Sequence, residues 1–194
     1  MSLRLSLQPL LALCQPAPSP AAMPTESGPV QRLVLAGSTW DDAAVALEII
    51  PSAPWPHDLA AWRQRLLSRE LPAGLILAPL RHESLRTPSG WDVTVVLAAL
   101  CHDPAQVSSY RQERIGYFFS LLDTVAAMVL YVRDRAAYGR FVPALQQVLR
   151  SADLDWDRLG HEPATLSQLW AQPPAVGPQP DDAAQTQASP TSAS

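Results

Sequence analysis

Between Arg114 and Arg133 lie eighteen residues, Ile115 to Val132, whose only interruptions are Gly116, Ser120, Asp123 and Thr124. So apolar a stretch has few options. It spans a membrane, becomes one buried helix, or folds back as two core strands. Its length just reaches the roughly 17–25 residues of a membrane span. Asp123, near its centre, would cost about 2.5–3.5 kcal/mol on insertion scales, which the middling remainder does not offset. The preferred reading is therefore a hairpin, Ile115–Leu122 and Thr124–Val132, turning near Asp123, over a single buried or spanning helix. Attachment to a membrane is not expected.

The flanking sequence supplies the rest of a sheet. Arg32–Ala36 reads as a short strand stopped by Gly37-Ser38, and Ala43–Ile50 as a second that ends at Pro51, after which Pro54 and Pro56 enforce a loop. Asp58 is placed to cap a helix in which Leu59, Trp62, Leu66 and Leu67 share one face, ending near Leu71-Pro72. Gly74–Leu80 is a further strand, confined by Pro79 to an edge or a terminus. Thr87-Pro88-Ser89-Gly90 is a turn that delivers Trp91 into the strand Asp92–Leu100. After Arg133-Asp134 a helix presents Tyr138, Phe141, Leu145, Val148 and Leu149 on one side, with Pro143 either kinking it or restarting it. Glu162-Pro163 opens a last short helix. The elements predict an α+β fold: an antiparallel β-sheet packed by helices as a sandwich, in one domain over 30–171.

Both ends are different in composition. Residues 1–29 hold six prolines and few charges, which predicts a flexible Pro-rich leader. Its start imitates a signal peptide, and Leu11-Ala12-Leu13-Cys14 a lipoprotein box, but Gln8 and Pro9 interrupt the apolar run and Leu13 is too large to precede a lipidated cysteine. A leader without export function, or translation from Met23, is preferred to export. Residues 172–194 are Pro, Gln, Ser, Thr and Ala with Asp181-Asp182, and are expected to be a disordered tail.

Only 16% of the 194 residues are charged and the net charge is −4, while 47% are hydrophobic, so a packed core is available and wholesale disorder is excluded. All fourteen cationic side chains are Arg, scattered rather than clustered, and nucleic acid is not an expected partner. Cys14 and Cys101 form no disulfide framework and no metal half-site. The compartment expected is the cytoplasm, with export or envelope association as the alternative.

The candidate chemistry is sparse. Cys101-His102-Asp103 invites a thiolate relay, yet neighbours in a strand or turn point apart, so a buried thiol followed by a polar turn is preferred. His82-Glu83 and His57-Asp58 stand beside prolines, where loops are expected, with no metal-binding spacing around them. Asp153, Asp155 and Asp157 alternate as calcium ligands do, without the glycine and distal glutamate of that loop. No phosphate loop or nucleophile elbow is present, and no cofactor or metal is expected. Arg81, Arg86, Arg111 and Arg114 could line one edge, though solvated arginine is preferred. Of six tryptophans, Trp62 belongs to a helix face. Trp40, Trp55 and Trp91 stand at loop–strand junctions, where they cap a core or anchor a partner; they are the partner-binding candidates, and catalytic residues are assigned to none.

The order of these parts resembles a known scaffold. Thr87-Pro88-Ser89-Gly90-Trp91 entering a strand, Tyr117-Phe118-Phe119, the strand ending Val129-Leu130-Tyr131-Val132, and a closing helix through Leu149 towards Asp155-Trp156 are similar to the PsbP-like α/β sandwich and, within it, to the bacterial DcrB-like proteins. The match is of element order and a Gly-Trp step over residues 30–158. It implies a non-enzymatic domain that holds a protein segment against an apolar sheet face or groove, as a homodimer in one form, and a chaperone or adaptor for a secreted effector in its finer version. An enzyme built on Cys101, His102 and Asp103 or on His82 and Glu83, and an envelope-associated protein, are the alternatives.

Overall fold

The computed structural model describes residues 3–17, 30–103, 105 and 112–152. Its elements run α1 (Gln8–Leu11), β1 (Cys14–Pro16), β2 (Gln31–Leu35), β3 (Val45–Pro54), α2 (Leu59–Leu67), β4 (Ile76–Arg86), β5 (Asp92–Cys101), β6 (Gln112–Leu121), β7 (Thr124–Val132) and α3 (Arg135–Ser151). All strands join one antiparallel sheet in the order β1-β2-β3-β7-β6-β5-β4. The chain thus crosses from mid-sheet to the far edge through α2, then meanders back until β7 closes against β3. The α+β class expected above is what the chain adopts.

The greasy window is the hairpin β6–β7, paired from Glu113 with Val132 to Leu121 with Thr124. It is apolar throughout because both its faces are covered. Ile115, Tyr117, Phe119, Met128 and Leu130 point into a core shared with α3, whereas Phe118, Val125, Ala127 and Val129 point into a second core under α2. A strand buried on both sides loses the alternation that usually betrays one. Among the described residues, no helix is long and apolar enough to cross a membrane.

Each helix sits where the sheet makes room. Asp58 caps α2 by accepting from the Ala61 N–H at 3.0 Å. Beneath α2 lies Gly116, where a Cβ would stand 2.4 Å from the Phe118 ring and 3.1 Å from Leu67 Cδ2. The missing side chain lets Leu67 settle onto the sheet while Trp62 meets Phe118 edge to face at 5.9 Å. On the other face Asp134 caps α3, which buries Tyr138, Phe141, Leu145, Val148 and Leu149. Pro143 lies inside a single helix over Arg135–Ser151, so it does not restart α3. Pro143 and Gly139, whose carbonyl loses its i+4 donor, both lie on the exposed side, so the freed oxygen is not buried in the core.

Three local expectations give way to tertiary context. β3 continues through Pro51 to Pro54 instead of ending at Ile50. Its pairing with β2 stops at Ile49, so beyond that point the strand is an edge on one side, and the register shift between Ile50 and Ala53 absorbs the prolines. β4 likewise runs past Pro79 to Arg86 with a shift between Pro79 and Arg81, which puts His82 and Glu83 in a strand, not a loop. Lastly, residues 3–17, part of the stretch read as a flexible leader over 1–29, pack onto the domain. Leu3, Leu10 and Cys14 are buried in the α3-side core, and β1 pairs with β2. A few well-spaced apolar side chains suffice there because α3 already offers a surface for Leu10. The final short helix, Asp153, Asp155, Asp157, Trp156, Trp170 and the tail over 172–194 lie outside the described residues, as do residues 18–29.

Leu10 is wholly buried. Leu10→Ala is therefore expected to destabilise the chain by about 2–4 kcal/mol in chemical denaturation, as for a core leucine elsewhere; a change under about 0.5 kcal/mol, the range of a surface site, would show that residues 3–17 do not belong to the fold.

Candidate functional site

Glu48 stands mid-sheet in β3, on the α2 face, opposite Arg32 of β2 and Val129 of β7. It is 1% exposed, and a buried carboxylate must be paired. Arg32 supplies the pair, with Nε donating to Oε1 at 2.8 Å, while the Tyr131 hydroxyl donates to Oε2 at 2.8 Å and Arg69 Nη1 lies 3.3 Å from the same oxygen. A second carboxylate enters from the turn after α2. Glu70 adopts φ +50°, an unfavourable value for a residue with a Cβ. In that conformation its Oε1 accepts from Arg32 Nη2 at 2.5 Å and its Oε2 from the Trp40 indole N–H.

Aromatic faces complete the cluster. The Arg32 guanidinium lies 4.0 Å from the Trp40 ring centroid, Trp40 meets Tyr131 edge to face at 5.1 Å, and Arg114 lies 4.1 Å from the Tyr131 centroid. Burial weakens the charged form of Arg32, but Glu70 and Glu48 outweigh it and raise its pKa. Burial also opposes the ionised form of Glu70, and hydrogen bonds from Trp40 and Arg32 overcome it, so its pKa is lowered. Arg114 has less compensation, and burial brings it down to about 10. Tyr131 is pushed upward by burial and by Glu48, which keeps its hydroxyl a proton donor.

Arg32, Trp40 and Glu70 form the floor of an open cleft of about 540 Å³, walled by Gln15, Thr39 and Asp41. Its carboxylate floor is neutralised by guanidinium and indole donors, and its lining among the described residues includes no cysteine or histidine.

The reactive candidates lie elsewhere and apart. Cys101 is buried at the end of β5, His102 Nδ1 is 3.0 Å from the Gly74 carbonyl oxygen, and the Asp103 carboxylate accepts from the Ala105 N–H. His82 and Glu83, neighbours in β4, point to opposite faces, and Glu83 pairs with Arg81. Burial pushes the Cys14 thiol up to about 11, far from a reactive thiolate. Among the described residues, no three His, Cys, Asp or Glu side chains gather as a metal site. Of the four arginines read as lining an edge, Arg81 and Arg86 are on β4, Arg114 is buried in the cluster, and Arg111 lies outside the described residues.

The three tryptophans singled out as partner-binding candidates do not converge. Trp91 is 5% exposed in the α3-side core, held by the turn in which the Thr87 N–H donates to the Trp91 carbonyl. Trp40 is 8% exposed and belongs to the floor of the cleft. Trp55 is 44% exposed at the opposite end of β3, where its N–H donates to the Asp123 carbonyl at 2.8 Å. That bond sets it beside the turn of the central hairpin, whose first residue, Leu122, is 81% exposed at φ +54°. Two-residue hairpin turns favour glycine or asparagine at positive φ, so Leu122 is unfavourable there in both conformation and solvation. The ionic cluster has no motif. Its one sequence signal is Glu48, the only charge inside Val45–Pro54. Leu122, read only as a strand end, carries its signal in its position beside Asp123.

The chain is similar to the solution structure of cyanobacterial PsbP (CyanoP) from Synechocystis sp. PCC 6803, with a TM-score of 0.41 and 10% identity over 69% of this chain and 96% of that one. The likeness is a weak one of fold. No protein-family model matches the chain. No curated protein matches it either.

Two outcomes follow for the cluster. Arg32→Met strips Glu48 of its closest cation and is expected to cost about 3–5 kcal/mol in denaturant unfolding, the range for breaking a buried pair. Glu70 has a depressed folded pKa, so its contribution is complete above the ordinary carboxylate range and is lost as pH falls through the folded value. Glu70→Gln should accordingly flatten the fall in stability below about pH 4.3, read from melting temperature against pH. An unchanged acid limb would refute its part in the cluster.

Proposed function

We propose that this chain is a non-catalytic protein-binding module whose partner anchors on Trp55 and Leu122. The observation that carries this reading is Leu122: a leucine 81% exposed, at a backbone angle that glycine or asparagine would occupy more cheaply, adjoining a half-exposed tryptophan. Neither feature serves the monomer's stability, whereas a large apolar side chain on a rigid hairpin tip suits a binding hot spot, where aromatic and aliphatic anchors dominate the energy. The separation of Cys101, His102 and Asp103, and of His82 from Glu83, also favours binding over reaction. In its finer form the partner is a secreted effector, for which the module serves as chaperone or adaptor. We place it in the cytoplasm, a reading supported by Cys14 and Cys101, both free and buried.

Leu122→Asn separates function from folding. Asparagine tolerates positive φ, so the variant is expected to be as stable as the parent or more stable by up to about 1 kcal/mol. With the full-length chain as bait in the source cell, a discrete partner should be recovered by the parent and lost with both Leu122→Asn and Trp55→Ser. Equal recovery by all three chains, or a Leu122→Asn variant that unfolds, would refute the reading. A recovered partner that is not a secreted protein would remove the finer form alone.

A further inference from the structure

We propose that β4 is a self-association edge, through which two copies of this chain join their sheets around a two-fold axis at His82. Among the described residues β4 pairs only with β5, which leaves an eleven-residue strand with one side unpaired, and Ile76 and Leu80 on it are exposed. Such an edge is a template for another strand. The other edge, β1, has three residues and ends in Pro16, so it offers little to pair.

Symmetry and charge together select both occupant and register. A two-fold axis that joins two antiparallel edges must run perpendicular to the sheet, so the faces are preserved and directly opposed residues lie on the same face. Only registers centred on a residue satisfy this. Beyond the irregularity at Pro79 and Arg81, Arg81, Glu83 and Leu85 follow the face of Leu97, Val95 and Val93, while His82, Ser84 and Arg86 take the other. A centre at Arg81 opposes two arginines, and one at Glu83 opposes two glutamates. A centre at Ser84 sets His82 against Arg86. With the axis at His82, Arg81 of each copy faces Glu83 of the other. The pair Arg81–Glu83 already bridges within the chain, so the dimer would close a ring of four alternating charges on one face. Opposite charges directly across a ladder stabilise it and like charges do the reverse, which makes this register the self-complementary one. The charges and Pro79 that would block an arbitrary strand thus admit a second copy. The cleft beside Trp40 lies at the far, β1–β2 side of the sheet, and the Trp55–Leu122 surface at a strand end, so neither is consumed.

Charge reversal of the full-length chain, followed by sedimentation at low salt, tests this independently of the binding reading above. The parent is expected to show a concentration-dependent dimer. Arg81→Glu and Glu83→Arg, each alone, should weaken dimerisation by at least about ten-fold, because two attractive pairs become two repulsive ones. An equimolar mixture of the two variants should dimerise again, since every cross-strand pair is then acid against base; recovery also shows that both variants are folded. A parent that stays monomeric, single variants that associate as well as the parent, or a mixture that remains monomeric would overturn the proposal.

Discussion

Coverage of the β6–β7 hairpin on both faces is the constraint from which the rest of the molecule follows. An antiparallel sheet can leave one face to water, but these two strands carry Tyr117, Phe119, Met128 and Leu130 on one side and Phe118, Val125, Ala127 and Val129 on the other. Neither set can be solvated, so a helix must lie on each face. α3 follows β7 directly and covers one. α2 comes from an earlier part of the chain, and its placement over Gly116 and Phe118 requires that the crossover from β3 to β4 pass over the second face. The split of the meander, with β3 seated against β7 and β4 sent to the far edge, is the topology that this double coverage produces.

The crossover brings a polar cost with it. α2 is nine residues long and does not cover the whole second face, and the sheet beneath its C-terminal end carries Arg32, Glu48, Arg114 and Tyr131. Placed there, an unpaired Glu48 would be untenable. The turn that ends α2 resolves the difficulty by delivering Arg69 and Glu70, the latter at a strained backbone angle. Trp40 then closes the top, with the Arg133 guanidinium donating to the carbonyls of Trp40 and Ala43. The cleft is the space left outside this closure, which accounts for a floor that is hydrogen-bonded and charge-neutral.

Among the described residues, positive φ outside glycine occurs at Glu70 and Leu122. These positions are alike in geometry and opposite in reason. Glu70 repays its strain within the monomer through two charge-assisted contacts. Leu122 makes no comparable return, since its side chain faces solvent, and the contrast directs attention to the hairpin tip rather than to the better-formed cleft.

Much of this was legible in the sequence. Asp123 in the middle of an apolar run established the hairpin, Asp58 and the spacing Leu59, Trp62, Leu66 and Leu67 established α2, and Thr87 to Trp91 established the entry to β5, because caps, turns and periodicity act over a few residues. The prolines misled at β3 and β4, since a proline's tolerance depends on whether its neighbour strand is present, and that is decided by pairing across the sheet. The same holds for residues 3–17, whose apolar side chains are too few to announce an element until α3 supplies the surface they bury. The sites were the least visible. Arg32, Glu48, Glu70 and Tyr131 are far apart along the chain and meet only because strand register and the α2 crossover superpose them, and no local pattern encodes that meeting. Short-range chemistry determined the elements of this protein, whereas long-range pairing decided which charges are buried together and, among the described residues, which tryptophan remains in water and which edge is left open.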